Sequence, residues 1–325
     1  MLHGVVNNSG DWAPSLHTIA GKVFDNNVQL LSKHYNFITL NEAINILQGE
    51  PCLKKNLAVL TFDDGYRNFQ MCALPILKKY SLPASIYVVT DNTNRGKYFW
   101  YDELDYLLQH YKGKSYEIII QGRSYPLLIN TYKEFKKTYS AVRKKIKRDV
   151  KDDYKLSEHI NRVIDDLKSQ SGFEDTNDGK ADSNISILDW QELKILNDED
   201  LVEIGSHTVN HIRLAYVDSD SIYNELYESK REIERQLSLS CDVVCYPNGS
   251  FNDEVCQLSK KAGFIAGLTT VTGFNSVNDD LFRLKRIAFP VTDNKLRVMA
   301  CATGLYYYRD KLKNLFKISN KRVNF

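Results

Sequence analysis

The chain has 325 residues, of which 43% are hydrophobic, and its 43 Lys and Arg nearly balance its 41 Asp and Glu. A chain of this length and composition can bury a large core and form one elaborated domain or two smaller ones. The formal net charge of +2 argues against a general attraction to nucleic acid or to acidic lipid, so no nucleic-acid partner is expected.

The compartment is predicted from two features of the sequence. The first residues, MLHGVVNNSGDW, lack the basic and apolar parts of a secretory signal, and no run approaches the roughly 18 apolar residues of a membrane span. We therefore expect a cytoplasmic protein, at most at the inner membrane face, with export only if the N-terminus is incomplete. The six cysteines are scattered, mostly within apolar runs, which favours reduced thiols over a disulfide framework. Cys241 and Cys245 could belong to a metal site, but the sequence offers no second pair to complete it.

The first 95 residues alternate predicted strands and helices. A short strand at 1–6 carries His3, helices follow over 23–31 and 41–47, and the second opens with the capping box Thr39-Leu40-Asn41-Glu42. The apolar stretch LAVLTF at 57–62 is typical of a buried strand and ends in Asp63-Asp64-Gly65. A helix at 74–80 and a strand at 84–89 complete a β-α-β unit, for which parallel pairing is favoured.

The pattern changes between residues 96 and 187. An aromatic helix at 98–111, a hairpin at 116–129 around Gln121-Gly122-Arg123 and a highly charged helix at 131–170 are predicted, followed by a loop at 171–184. The apolar stripe of the charged helix comprises Phe135, Tyr139, Val142 and Ile146. Its Lys and Arg residues could meet an anionic ligand, although a solvated helix face is the commoner use of such a run. We interpret the block as an insertion that caps or lines the rim of the main domain.

The α/β alternation resumes after the insertion. Strands are predicted at 201–204, 243–246, 265–270 and 284–289, with a helix at 221–237. The chain from residue 295 is predicted to be a helical tail rich in tyrosine and basic residues, which packs on the barrel or touches a membrane surface. The expected organisation is therefore 1–95 and 188–294 as two parts of one domain, 96–187 as the insertion and 295–325 as the tail.

Polar clusters follow three of the predicted strands: Asp63-Asp64, then His207 with His211, then Pro247-Asn248-Gly249. In parallel α/β folds the carboxyl ends of the strands form the rim where sites are built. A helical turn after the strand would bring the two histidines to one side. Two histidines and one carboxylate make a metal site with open positions for water and substrate, and a second carboxylate beside it can accept a proton. The combination indicates hydrolysis.

Three stretches carry a resemblance to a known family: TFDDGY at 61–66, EIGSHTVNH at 203–211 and CYPNGSFN at 245–252. They resemble the motifs of the polysaccharide deacetylases of carbohydrate esterase family four, which contain the NodB homology domain. The resemblance spans the chain from His3 to about Phe289, apart from the insertion. It implies a distorted (β/α) barrel of about seven strands, with the helical and hairpin insertion added to it.

The resemblance also implies roles for individual residues. Asp63 looks like the general base, and Asn248 lies where a backbone N–H would stabilise the oxyanion. The implied metal ligands are Asp64, His207 and His211. The implied cofactor is a divalent metal, with zinc as the default and cobalt, nickel or iron compatible with the same ligands. Tyr66, Pro247 and Arg286 are assigned as substrate-binding residues.

Two departures from the family pattern affect the site. The arginine that commonly stands two residues before the proline is replaced by Cys245, and Arg283 or Arg286 is a candidate to orient the base instead. Asn248 replaces the aromatic residue after the proline, which matters less because the oxyanion donor is a backbone group. No histidine follows His211, so the general acid is assigned to His3, in a strand similar to the N-terminal one of circularly permuted family members.

The implied activity is metal-dependent removal of an N-acetyl group from an amino sugar in a polysaccharide, an oligosaccharide or a glycolipid. Two alternatives stay open. The enzyme could instead act as a deacylase or deformylase of a lipid-linked sugar precursor, with peripheral membrane contact through the tail. The chain could also be a carbohydrate-binding relative that kept the fold and lost the chemistry.

Overall fold

The computed structural model describes residues 1–7, 18–110, 115–120, 123–128, 130–149, 153–171 and 185–305. In chain order the elements are β1 (Gly4–Val6), β2 (Thr18–Ala20), α1 (Gly21–Leu31), β3 (Asn36–Phe37), α2 (Leu40–Leu47), β4 (Leu57–Ala58), β5 (Leu60–Phe62), α3 (Leu74–Tyr80), β6 (Ala84–Val88), α4 (Thr90–Arg95), α5 (Trp100–His110), β7 (Ser115–Ile120), β8 (Arg123–Leu128), α6 (Tyr132–Asp149), α7 (Asp153–Ser171), α8 (Trp190–Asn197), β9 (Val202–Ser206), α9 (Ser219–Leu237), β10 (Val243–Cys245), α10 (Asp253–Lys261), β11 (Ala266–Leu268) and α11 (Lys295–Ala302).

The core of the fold is a parallel sheet of five strands in the order β11-β10-β9-β6-β5. Two further segments join its edges. Leu2 forms a parallel bridge with Phe62 of β5, and Leu284 forms one with β11. Between them, the Met1 nitrogen donates to Ile287 O and the Phe289 nitrogen donates to Met1 O. The five strands and these two segments thus close a distorted α/β barrel, which confirms the predicted fold class.

Most predicted elements are confirmed, and two are wrong. The segment 284–289 is not a strand, because it makes single bridges and isolated hydrogen bonds to two different partners rather than one continuous ladder. The single charged helix predicted over 131–170 is two helices, α6 and α7, which pack against each other. The hairpin tip at 121–122, the loop at 172–184 and the tail beyond residue 305 lie outside the described residues.

The strands present alternate side chains to two different cores. Leu60 and Phe62 of β5 pack with the surrounding helices, as expected for the outer face of a barrel. The barrel interior contains Tyr87, Val243 and Leu268, against which α2 packs through its buried apolar side chains. Helix α2 therefore closes the end of the barrel from which the strands start, and the polar residues that follow the strands lie at the other end.

Glu203 on β9 fixes α2 over that closed end. Its carboxylate accepts hydrogen bonds from the Leu40 nitrogen at 2.7 Å and the Asn41 nitrogen at 3.0 Å, and from Ser85 Oγ at 2.7 Å. A negative charge at a helix N-terminus satisfies N–H groups that have no partner within the helix.

We expect Glu203→Gln to lower the free energy of unfolding by about 1–3 kcal/mol. Glutamine has only one accepting oxygen, so its NH2 group would face at least one of these three donors and leave it without an acceptor. Urea denaturation measures the loss, with Glu228→Gln on α9, whose side chain is 55% exposed, as the control. An unchanged denaturation midpoint would contradict the role assigned to Glu203.

The insertion folds against the open end of the barrel. Helix α5 packs on both α6 and α7, and the predicted stripe of α6 is confirmed as buried at Phe135, Tyr139 and Val142. The returning chain is tied to the barrel by hydrogen bonds from the Arg67 nitrogen to Ser186 O and from the Leu188 nitrogen to Gly65 O. The insertion is therefore fastened directly beside the Asp63-Asp64-Gly65 turn.

The cysteines form no disulfides. All six are free thiols, and Cys241, Cys245 and Cys256 are buried. Within the described parts of the chain, no helix has the length and apolar character that crossing a bilayer requires.

Candidate active site

The turn after β5 places two buried carboxylates in different surroundings. Asp63 and Asp64 are 3% and 2% exposed. Asp64 and Gly65 both adopt positive φ, 77° and 74°, so the chain leaves the strand direction at Asp64. A Cβ on Gly65 would lie 3.1 Å from Val88 Cγ1, a tight contact, so glycine is favoured here by both its conformation and its size. Asp63 keeps the strand position and Asp64 does not.

The loop after β9 carries His207 and His211, and it does not form the helical turn that was one way to bring the two imidazoles to one side. The His207 nitrogen donates to Val88 O at 2.8 Å, which aligns the start of the loop with the end of β6. Thr208 and His211 have positive φ, 69° and 54°, so the chain bends sharply between the histidines. Glu225 on α9 stabilises the bend. The two imidazoles therefore meet through an irregular turn, not through helical spacing.

Asp64, His207 and His211 converge on one point. Asp64 Oδ1 lies 3.3 Å from His207 Nε2 and 3.4 Å from His211 Nε2, and it is buried without a hydrogen-bond partner. His207 Nδ1 lies 2.6 Å from Cys245 O, which places the proton on Nδ1 and leaves the Nε2 lone pair free to bind. Ligand atoms about 2.0–2.1 Å from a tetrahedral zinc stand about 3.3–3.4 Å apart. The three residues fit a divalent metal.

The electrostatics of Asp64 suit a ligand that must stay ionised. Burial alone would raise its pKa, but the close approach of the His207 and His211 imidazoles holds the pKa of Asp64 well below its ordinary value. Its other oxygen, Oδ2, accepts a hydrogen bond from the Tyr101 hydroxyl at 2.8 Å. Burial and the charge of Asp64 raise the pKa of Tyr101 well above its ordinary value, so this hydroxyl is a permanent donor.

Asp63 is held by Arg286 in a bidentate pair. Arg286 Nη1 donates to Asp63 Oδ1 at 2.6 Å and Nη2 donates to Oδ2 at 2.8 Å, while Nε donates to Thr269 O at 2.8 Å. Although burial opposes ionisation, the Arg286 charge holds the pKa of Asp63 well below its ordinary value. Arg283, the other candidate from the sequence, pairs with Asp253 and Asp280 instead. Of the two candidate arginines, Arg286 is therefore the one that contacts Asp63.

Cys245 lies beside this ion pair. Its Sγ lies 3.1 Å from Arg286 Nη2, so the side chain at position 245 contacts the guanidinium that pairs with Asp63. Asp63, His207 and Cys245 also approach one another closely enough to suggest a second metal-binding group. That group is unfavourable for a cation, because the Arg286 charge already lies between Asp63 and Cys245. The ligand set with Asp64 is the one that fits.

His3 is placed beside the carboxylates by strand register. The parallel bridge joins Leu2 to Phe62, and the Asp63 nitrogen donates to Leu2 O at 2.9 Å. The next residues along the two segments, His3 and Asp63, are therefore neighbours on one face. His3 lies near enough to interact electrostatically with both Asp63 and Asp64. Its assignment as general acid stays a prediction.

Asn68 fixes the segment that carries His3. Its Oδ1 accepts a hydrogen bond from the Val5 nitrogen at 3.1 Å, and a Cβ on Gly4 would lie 2.7 Å from the Asn68 amide atoms. Asn68 is buried, so this contact is shielded from water. The segment is therefore tied to the barrel on both sides of His3, which opposes fraying near its end.

The other predicted site residues lie at the same end of the barrel. Pro247 and Asn248 form a short 3₁₀ turn directly after β10, in which Pro247 is buried and Asn248 is exposed with φ 55°. Tyr66 is buried, and its hydroxyl donates to Asp102 Oδ2 at 2.5 Å. The polar atoms of Tyr66 and Arg286 thus contact protein groups, which supports positioning roles for both. The assignments of Tyr66, Pro247 and Arg286 to substrate binding stay predictions.

Sequence reasoning missed the aromatic residues that the insertion adds to the site. The ring of Phe99 stacks on Tyr101 with centroids 5.1 Å apart and meets His211 edge-on at 5.2 Å. The stretch FWYDELD at 99–105 carried a signal, since it combines aromatic and acidic residues shortly after a central strand. Two acidic residues of that stretch, Asp102 and Asp105, are buried, which is unusual for a helix on a surface.

Comparisons with known proteins show what this chain is similar to. YxkH of Bacillus subtilis (strain 168) is 27% identical over 86 residues, and this match covers 26% of the chain and only 31% of YxkH. The structure of the deacetylase PplD from Streptococcus pyogenes, solved in complex with acetate, matches with a TM-score of 0.53 and 20% identity over 92% of this chain and 96% of PplD. IcaB from Ammonifex degensii matches with a TM-score of 0.55 and 17% identity over 92% and 94%.

These structural matches establish the fold. The sequence model that describes the polysaccharide deacetylases matches residues 50–267, more than half of the chain. The matched region contains the Asp63-Asp64 turn, the two histidines and the Pro247-Asn248 turn. The chain belongs to the polysaccharide deacetylase family.

Proposed function

We propose that this protein is a metal-dependent hydrolase that removes an N-acetyl group from an amino sugar of a polysaccharide, an oligosaccharide or a glycolipid. One observation carries the proposal. A buried carboxylate oxygen, Asp64 Oδ1, has two imidazole nitrogens and no hydrogen-bond donor beside it, and a second buried carboxylate is held ionised next to it by Arg286. Metal-assisted amide hydrolysis needs these two groups, a metal site that activates water and a base that accepts its proton.

The residues divide the chemistry among them. A divalent metal bound by Asp64, His207 and His211 would lower the pKa of water and polarise the acyl carbonyl. Asp63, ionised through its pair with Arg286, takes the proton of the attacking water. The backbone N–H of Asn248 is proposed to donate to the developing oxyanion, and His3 to protonate the departing amine.

Metal removal provides the first test. We expect the purified protein to release acetate from N-acetylglucosamine oligomers, to lose this activity with a chelator and to regain it with added zinc or cobalt. His207→Ala removes one ligand and should abolish both stoichiometric metal and turnover. His34→Ala is the matched control, since His34 is an exposed histidine after α1. Full activity in His207→Ala, or in the chelated protein, would refute the proposal.

The acyl group can be examined with the same assay. An N-formylated amino sugar, tested beside its N-acetylated counterpart, separates deacetylation from deformylation by the acid that is released. A protein that binds metal and the oligosaccharide but releases neither acid would be a carbohydrate-binding relative.

A further inference from the structure

The insertion reaches the proposed metal site through a tyrosine. Helix α5 begins at Trp100, and the hydroxyl of Tyr101 in its first turn donates to Asp64 Oδ2 at 2.8 Å. Both side chains are buried. This hydrogen bond therefore links the insertion directly to Asp64, one of the three proposed metal ligands.

The hydrogen bond decides which carboxylate oxygen faces the histidines. Asp64 has two equivalent oxygens, and only Oδ2 is engaged by Tyr101, while Oδ1 lies between His207 Nε2 and His211 Nε2. Without a donor on Oδ2, the carboxylate could rotate about its terminal bond, and neither oxygen would be fixed in its direction toward the two histidines. A fixed donor therefore presents one oxygen, in one direction, to the ligand position.

Tyr101 is itself held by the rest of the insertion. The Tyr139 hydroxyl on α6 donates to Tyr101 O at 3.0 Å. The Arg143 guanidinium lies over the rings of Trp100, Tyr101 and Tyr139, at 5.6, 5.4 and 5.2 Å from their centroids. Helix α6 thus determines where the Tyr101 ring and hydroxyl stand, and through them where Asp64 points.

A second tyrosine of the insertion supports the histidine loop. The Tyr154 hydroxyl on α7 donates to Glu225 Oε1 at 2.9 Å. The other oxygen of Glu225 accepts hydrogen bonds from the Val209 and Asn210 nitrogens at 3.0 and 2.9 Å. These two residues lie between His207 and His211, so Tyr154 supports the ligand loop through Glu225.

We propose that the insertion is a structural part of the metal centre, in which Tyr101 positions the Asp64 carboxylate and Tyr154 supports the loop between the two histidines. The inference rests on the proposed function, since it assigns the insertion a task that exists only if Asp64, His207 and His211 bind a metal. It predicts that removing one hydroxyl from the insertion weakens metal binding without unfolding the barrel.

The test measures metal affinity directly. Apo protein is titrated with Co²⁺ and with Zn²⁺ against a competing chelator, and the visible spectrum of bound Co²⁺ reports the ligand geometry. Tyr101→Phe keeps the ring stacked on Phe99 and removes only the donor. We expect roughly 10–100-fold weaker metal binding and an altered Co²⁺ spectrum, with deacetylation returning toward the parent rate at saturating metal. Tyr154→Phe should weaken binding by a smaller factor.

Tyr223→Phe on α9 is the matched control, because it removes a hydroxyl from a partly buried tyrosine whose ring stacks on Tyr227. It should bind metal as the parent does, and thermal melting of every apo variant should stay close to that of the apo parent. Metal affinity and a Co²⁺ spectrum unchanged in Tyr101→Phe would overturn the inference while leaving the proposed function intact. A parent protein that binds neither metal would overturn both. If Tyr101→Phe melts early, Tyr139→Phe provides the same test, since it acts on the Tyr101 backbone from α6.

Discussion

Replacing Asp63 with asparagine is expected to lower kcat for N-acetyl hydrolysis by about 10²–10⁴-fold, the range that a general base contributes. Asparagine has nearly the same shape but cannot accept the proton of the attacking water. The metal ligands are untouched, so metal content should equal that of the parent. Acetate release and metal analysis on the same preparation measure both quantities. A variant with parental kcat would exclude Asp63 as the base.

Arg286→Met tests how that base is kept ready. The pair holds the pKa of Asp63 below its ordinary value against the effect of burial; without the guanidinium, burial alone would raise that pKa. The acidic limb of the kcat/KM profile should therefore move to higher pH, and kcat/KM should recover as the pH rises. A pH–rate profile with an unshifted acidic limb would contradict this account. Arg283→Met, on a side chain that is 41% exposed, is the control.

The same pair has a consequence for stability with a defined sign. A carboxyl group whose pKa is lowered on folding contributes stability above its unfolded pKa, about 3.8 here, and loses it as the pH falls. The free energy of unfolding of the parent should therefore exceed that of Arg286→Met by about 3–5 kcal/mol at pH 7, which is the usual cost of removing one partner of a buried ion pair. Urea denaturation at several pH values should show this difference shrinking as the pH falls from 7, because the unpaired Asp63 of the variant takes up a proton first, and shrinking further below about pH 4, where the parent loses its own contribution.

The fold could be predicted from the sequence to the extent that local patterns determined it. The capping box at Thr39 and the apolar runs of the central strands depend on neighbouring residues, and these elements are confirmed. The barrel closure could not be found in this way. It depends on Met1 lying between the edge strand and residues 287–289, a pairing across nearly the whole chain that leaves no periodic signal in either segment.

The site shows the same division between local and distant information. Asp64, His207 and His211 stand in short motifs at strand ends, so their meeting could be expected from the parallel topology. The Arg286 pair could be named only as one of two candidates, because RLKR places two arginines three residues apart and only the tertiary structure shows which one faces inward. Tyr101 was missed because its role depends on how the insertion folds back, and no motif records that.

Replacing His3 with glutamine is expected to lower kcat on the amide substrate by about 10²–10⁴-fold, because an amine leaves poorly without a proton donor. Glutamine keeps much of the size and polarity of the side chain but cannot donate a proton as an acid. An aryl acetate ester has a leaving group that needs no protonation, so its hydrolysis by the variant should fall less than about tenfold. The ratio of the two losses isolates the protonation step.

His34→Gln, on the exposed histidine after α1, is the control for this comparison. Equal losses on amide and ester would show that His3 acts before the leaving group departs, for example in binding substrate. Asn68→Ala extends the experiment. It removes the side-chain oxygen that accepts from the Val5 nitrogen and the amide group that packs against Gly4. If Asn68 fixes the segment that presents His3, this variant should also lose more activity on the amide than on the ester, since a displaced acid impairs the step that the ester does not require.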